Sequence, residues 1–183
     1  MAAVSADAGR ELWNISWETP YGVNATTPLV SGDQVFMTSG YKTGAQLLDV
    51  SDAGCEVLWT SKVVAAHHSD GYILDGFYYG YSGQSMQNKG AFKCVELGGG
   101  TEKWSSNEMG WGTCVYVDGH LMCLDIKGSL FLMKPDPAKF IKVTEMRKAL
   151  GDVKGPVWTV PVVANDRLYL RFKQRLVCYA LKD

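Results

Sequence analysis

The sequence predicts an all-β protein, a β-propeller of four-stranded antiparallel blades, and three observations carry that prediction. Short runs of β-branched and aromatic residues recur along the whole length, separated by Gly, Asp and Asn turn signals. Tight two-residue turns return at spacings of 43, 43 and 47 residues. Each turn is followed by further strands of the same kind, which gives about four strands per unit. Short strands at even spacing mark sandwiches, barrels or propellers, and a period of roughly 40–45 residues with four strands per unit is propeller spacing.

The turns are Gly32-Asp33, Asp75-Gly76, Asp118-Gly119 and Asn165-Asp166. Such pairs tolerate positive φ and suit tight hairpins. The strands leading into them span 27–30, 72–74, 113–117 and 160–164, and those leaving span 34–38, 77–81, 120–125 and 167–172. A third strand follows at 45–50, 91–97, 129–133 and 176–181. A fourth follows in three cases. Two contain Val57-Leu58-Trp59 and Glu102-Lys103-Trp104, and the third spans 140–146, inside the one stretch (137–150) that resembles a helix. In the fourth unit the missing outer strand has a candidate at 10–15, because Trp13 precedes Trp59 and Trp104 at spacings of 46 and 45. The expectation is one propeller domain or half-propeller over 1–183, with strand 10–15 completing the blade of 160–181. With Asp118-Gly119 as the turn, Cys114 is expected opposite Cys123, close enough to bridge although buried free thiols are the default.

Several segments resemble repeats of the pyrroloquinoline-quinone-like (PQQ-like) β-propeller family. They are Thr27-Pro28-Leu29-Val30-Ser31-Gly32-Asp33-Gln34-Val35-Phe36, Gly40-Tyr41-Lys42-Thr43-Gly44, the stretch from Cys94 to Trp104, and the stretch from Trp158 to Arg171. The resemblance implies that Trp13, Trp59 and Trp104 dock between neighbouring blades. The chain departs from the family pattern where Glu96 replaces an Asp, where Gly98-Gly99-Gly100 fills a turn, and in the third unit, which has no outer-strand Trp. It looks most like the carboxy-terminal half of larger exported bacterial propellers of seven or eight blades. A periplasmic or secreted location is therefore implied, as is a non-catalytic binding or assembly role, similar to the propeller lipoprotein that helps assemble outer-membrane proteins. The alternative is a quinoprotein-like oxidoreductase or carbohydrate-active enzyme with a site on the axis.

Charge and cysteine use narrow the partners. A net charge of −1 offers nucleic acid no electrostatic footprint. The longest apolar runs fall far short of the ~20 residues of a membrane-spanning helix. The opening Met1-Ala2-Ala3-Val4-Ser5-Ala6-Asp7 lacks the basic region and apolar core of a signal peptide, and fits equally a piece of a longer exported protein. Five cysteines cannot all pair, and none has CxxC spacing. No two cysteines are adjacent, whereas quinoprotein dehydrogenases carry a vicinal disulfide over the quinone. Asp49, Asp70, Asp125 and Asn24 are too scattered for calcium. No cofactor and no metal are expected.

Candidate ligand contacts remain at the channel or its mouth. His67 and His68 stand in the densest polar cluster, His67-His68-Ser69-Asp70, although strand alternation would turn them to opposite faces. Trp17, Tyr21, Tyr41 and Trp111 fall in loops or at strand ends, within an aromatic set that includes Tyr78, Tyr79, Tyr81 and Trp158. Such rings bind a peptide, a sugar or another protein, and inter-blade packing is the competing use. Four blades closing alone would each turn 90°, so a homodimer forming one eight-bladed ring is expected, with exchange of strand 10–15 between subunits; the alternative is a compact four-bladed monomer closed by its own strand 10–15.

Overall fold

The computed structural model describes residues 1–84 and 89–181. Its strands form successive antiparallel meanders, each lying beside the next. A hairpin of β1 (Ala2–Val4) and β2 (Glu11–Asn14) comes first. Blade 1 is β3 (Leu29–Ser31), β4 (Gln34–Ser39), β5 (Gly44–Ser51) and β6 (Gly54–Ser61). Blade 2 is β7 (Tyr72–Leu74), β8 (Phe77–Gln84), β9 (Lys89–Glu96) and β10 (Thr101–Ser106). Blade 3 is β11 (Gly112–Val117), β12 (His120–Asp125), β13 (Leu130–Lys134) and β14 (Ile141–Met146). Blade 4 has three strands, β15 (Val162–Ala164), β16 (Arg167–Phe172) and β17 (Arg175–Ala180). No α-helix occurs among the described residues, and the helix-like stretch 137–150 contains β14.

Turn chemistry sets the registers. Asp75 and Gly76, Asp118 and Gly119, and Asn165 and Asp166 all hold positive φ between 48° and 81°, as a hairpin with two left-handed central residues requires. Blade 1 uses Gly32 alone, at φ 59°. The resulting register pairs Val117 with His120 and Cys114 with Cys123. Both cysteines are buried free thiols, so no bridge joins them.

Strand alternation gives a blade two apolar faces, and neighbouring blades bury the faces that meet. Phe36 and Leu47 of blade 1 meet Tyr78 and Val95 of blade 2. Tyr79 and Cys94 of blade 2 meet Leu121, Cys123 and Phe131 of blade 3, and Met122 and Leu124 of blade 3 meet Leu168 and Leu170 of blade 4. Each fully buried side chain of this kind contributes about 1.5–3 kcal/mol, so the core is a series of inter-blade layers. The rear face of blade 1, with Val35, Met37 and Leu48, is covered by Met1, Ile15 and Trp17.

The N-terminal strand does not complete blade 4 within one chain. Ala2, Ala3 and Val4 pair with Asn14, Trp13 and Glu11, and the sheet of blade 4 remains three-stranded. The physical reason is local: a hairpin closed by Ser5 and Arg10 backbone bonds supplies a partner only a few residues away, at far less loop-closure cost than one over 160 residues distant.

Candidate functional site

In an up-and-down meander the turns alternate between two ends. The turn inside each leading hairpin and the turn between third and fourth strands lie at one end. The turns between second and third strands, and the connections from one blade to the next, lie at the other.

The three tryptophans serve the first end. Trp13 Nε1 donates to Ser51 O, Trp59 Nε1 to Leu97 O and Trp104 Nε1 to Asp136 O, each at 2.8 Å. In each case the indole leaves an outer strand (β2 of the hairpin, or the fourth strands β6 and β10) and reaches the end of the third strand, or the turn beyond it, in the blade that follows. All three are half-buried. Trp59 packs on Phe36 and lies over Gly100, where a Cβ would meet the indole at 3.1 Å. Trp104 packs among Tyr79, Phe92 and Phe140. Between blades 3 and 4 the direction reverses. Tyr179 Oη donates to Ala149 O and Arg175 Nη1 to Leu150 O, both at 2.6 Å.

The second end carries a row of rings. Tyr21 touches Tyr41 (centroids 5.2 Å apart), Tyr41 touches His67 (4.9 Å), and His67 touches His68 (4.6 Å). His68 then meets Trp111 at 4.5 Å and Trp158 at 5.2 Å. Four of the expected residues, Tyr41, His67, His68 and Trp111, thus come together. Trp17 does not join them: it packs on the rear face of blade 1 and lines a 240 Å³ cavity with Met1, Asn24, Thr26, Pro28 and Met37.

The two histidines are neighbours, contrary to the alternation argument. Residues 67–70 are not in a strand but in a bend that follows the isolated bridge from Ala66 to Gly83, so period-two geometry does not apply. Gly40 lets the Tyr41 turn approach, because a Cβ there would meet His67 at 3.0 Å.

Exposure divides the row. Trp111 is fully buried and anchors it from below, whereas Tyr21 is 87% and Trp158 50% exposed. Those two offer the accessible ring surface; both belong to the aromatic set read from the sequence, Tyr21 among its loop residues, but neither was one of the five contacts singled out there. A signal for Trp158 was present: His68, Trp111 and Trp158 each stand seven residues before the first residue of their blade's turn, where blade 1 has Ala25. Equal offsets bring these three side chains together from three blades.

Burial pushes the His67 imidazole below its ordinary range, and burial together with the neighbouring His67 does the same for His68. Both therefore favour the neutral form near pH 7 and meet their neighbours tilted or edge-on as uncharged rings. Below them a cavity of 80 Å³ is lined by His68, Ser69, Asp70, Thr113, Cys114 and Val160. Asp70 Oδ1 accepts from the Thr27 amide. Burial raises the thiols of Cys94 and Cys123, which disfavours the thiolate a nucleophile needs. Among the described residues no three His, Cys, Asp or Glu groups converge as metal ligands would. The site offers aromatic surface and hydrogen-bonding groups, the chemistry of recognition.

No protein-family model matches the sequence, and no curated protein does so. Among solved structures the chain is similar to BamB from Moraxella catarrhalis, a β-propeller, with a TM-score of 0.65 over 97% of this chain and 50% of that one, at 17% identity. The chain therefore spans about half the length of that neighbour, and the likeness establishes the propeller fold.

Proposed function

We propose that this chain is a non-catalytic PQQ-like propeller scaffold that binds other proteins in the bacterial cell envelope, in the periplasm or outside the cell. The observation that carries the reading is the row Tyr21–Tyr41–His67–His68–Trp158, which crosses one end of the blades with its two outermost rings exposed. Exposed aromatic rings supply contact area at low side-chain entropy cost and dominate binding hot spots. A row of ring contacts crossing several blades fits an extended segment of polypeptide better than a compact small molecule. The fold of BamB supports the scaffold class, and the envelope setting follows from the family resemblance. A second copy of the chain belongs among the partners in this reading.

Fluorescence anisotropy with a labelled, permanently unfolded polypeptide (reduced, carboxymethylated α-lactalbumin) tests it. Trp158→Ala and Tyr21→Ala each weaken binding at least five-fold, while Tyr116→Ala, an exposed ring outside the row, leaves it unchanged. Equal binding by all three variants, or none by the parent protein, would overturn the reading.

A further inference from the structure

Blade 4 presents to solvent a face that every other blade buries. At the positions occupied by Phe36, Ala45 and Leu47 in blade 1, and by Tyr79, Phe92 and Cys94 in blade 2, blade 4 has Tyr169, Leu176 and Cys178. The side chains of the first two sets lie in inter-blade cores. In blade 4 the same face leaves Leu176 64% and Val162 54% exposed, with Cys178 also exposed. Apolar side chains kept at interface positions form a surface of the kind soluble proteins cover. Beside it β17 ends the sheet, and among the described residues its outer edge is unpaired, a template for association.

The charges at the two ends of the chain complement each other. Residues 156–181 carry Arg167, Arg171, Lys173 and Arg175 against Asp166 alone. Residues 1–23 carry Asp7, Glu11 and Glu18 against Arg10 alone. The N-terminal hairpin already covers the rear face of blade 1 with Met1, Ile15 and Trp17, and its other side leaves Val4 59% exposed.

We infer that the bare face of blade 4 docks the N-terminal hairpin of a second copy of this chain, by the face-to-face stacking that joins every other pair of blades. The inference rests on the proposed function only in taking a second copy as a partner. Two copies related by a two-fold axis make this junction twice, each basic end against an acidic end, and leave neither blade 4 bare. Strand 10–15 keeps its own partner, Ala2–Val4, so the junction is a stacking of sheets and involves no exchanged strand. Arg171 and Arg167 lie on the docking face, and Glu11 lies on the hairpin that meets it.

Static light scattering at tens of micromolar tests the junction on the intact chain. The expected mass is twice the 20.1 kDa of one chain. Arg171→Glu with Leu176→Glu returns it to one chain mass, and adding Glu11→Arg restores part of the dimer. The far-ultraviolet dichroism of each variant is compared with the parent's to establish folding. As a second measurement that needs no variant, alkylation of Cys178 in the parent protein slows as its concentration rises. A single-chain mass at every concentration, with Cys178 equally reactive throughout, overturns the inference while leaving peptide binding at the aromatic row to be judged by its own assay. A stable dimer indifferent to the substitutions, with Cys178 reactive, overturns this junction and keeps the second copy as a partner.

Discussion

Cys94 and Cys178 occupy the same place in two blades and live in opposite surroundings. Each lies on a third strand, directly across from a tyrosine at the third position of the second strand, Tyr79 in one blade and Tyr169 in the other. Blade 3 covers the first pair and buries Cys94 completely. The second pair lies on the far face of blade 4, and Cys178 is exposed. The side chains match, so the environment difference is produced by the neighbouring blade. A blade sequence specifies a sheet with two apolar faces, and only stacking decides which of them become core.

The largest expected effect follows from this contrast. In dilute solution maleimide modifies Cys178 about a thousandfold faster than Cys94, because the buried thiol reacts only after local opening. Mass spectrometry of the partly labelled protein reads the ratio, and comparable rates would show that the blade 2 to blade 3 layer is loose. Trp104→Ala comes next. Its ring packs on three aromatic side chains and its N–H holds Asp136 O, so removal costs about 3 kcal/mol in urea unfolding. Trp13→Ala loses chiefly one exposed hydrogen bond to Ser51 O and costs about 1 kcal/mol. Equal losses at the two positions would mean that the indoles act alike despite their different surroundings.

Among the described residues the junction of blades 3 and 4 has no indole clamp, and at this end its polar contacts run from Arg175 and Tyr179 back to Leu150 and Ala149. Tyr179→Phe keeps the ring in its cluster and removes the bond to Ala149 O, for a loss of about 1 kcal/mol. A loss as large as that of Trp104→Ala would make this hydroxyl the principal tie of blade 4. The smallest effect is a pH tilt at the aromatic row. His67 and His68 have folded pKa values below the ordinary imidazole value, so the unfolded chain binds protons first. The stability they contribute is complete above about pH 6.5 and is lost as pH falls from there through the folded values. Thermal midpoints measured from pH 7.5 to 5 fall for the parent protein and fall less for His68→Phe. An equal fall would remove His68 from the cause.

Much of this fold is written in local sequence. The pairs Asp75-Gly76, Asp118-Gly119 and Asn165-Asp166 fix hairpin register by their tolerance of positive φ. That register in turn places Cys114 against Cys123. The even spacing of Trp13, Trp59 and Trp104 marks equivalent strands because one repeat makes one blade. These are near-neighbour properties, set by dihedral preference and period-two alternation, and the chain carries them at every copy.

What the repeat period cannot carry is anything decided between copies or outside strands. Strand 10–15 matches the other outer strands, yet it pairs with Ala2–Val4 because the nearer partner closes the shorter loop. His67 and His68 read as opposed neighbours on a strand, and the bend at 67–70 brings their rings side by side. Trp17 and Trp111 are alike as loop tryptophans in sequence, but one packs under the rear of blade 1 and the other anchors the aromatic row. The sequence by itself determined the blades, their hairpins and their apolar faces, because those follow from each residue's own dihedral and solvation preferences. Tertiary structure alone decided which faces were covered and which rings met, because those depend on the distance between segments that only stacking brings together.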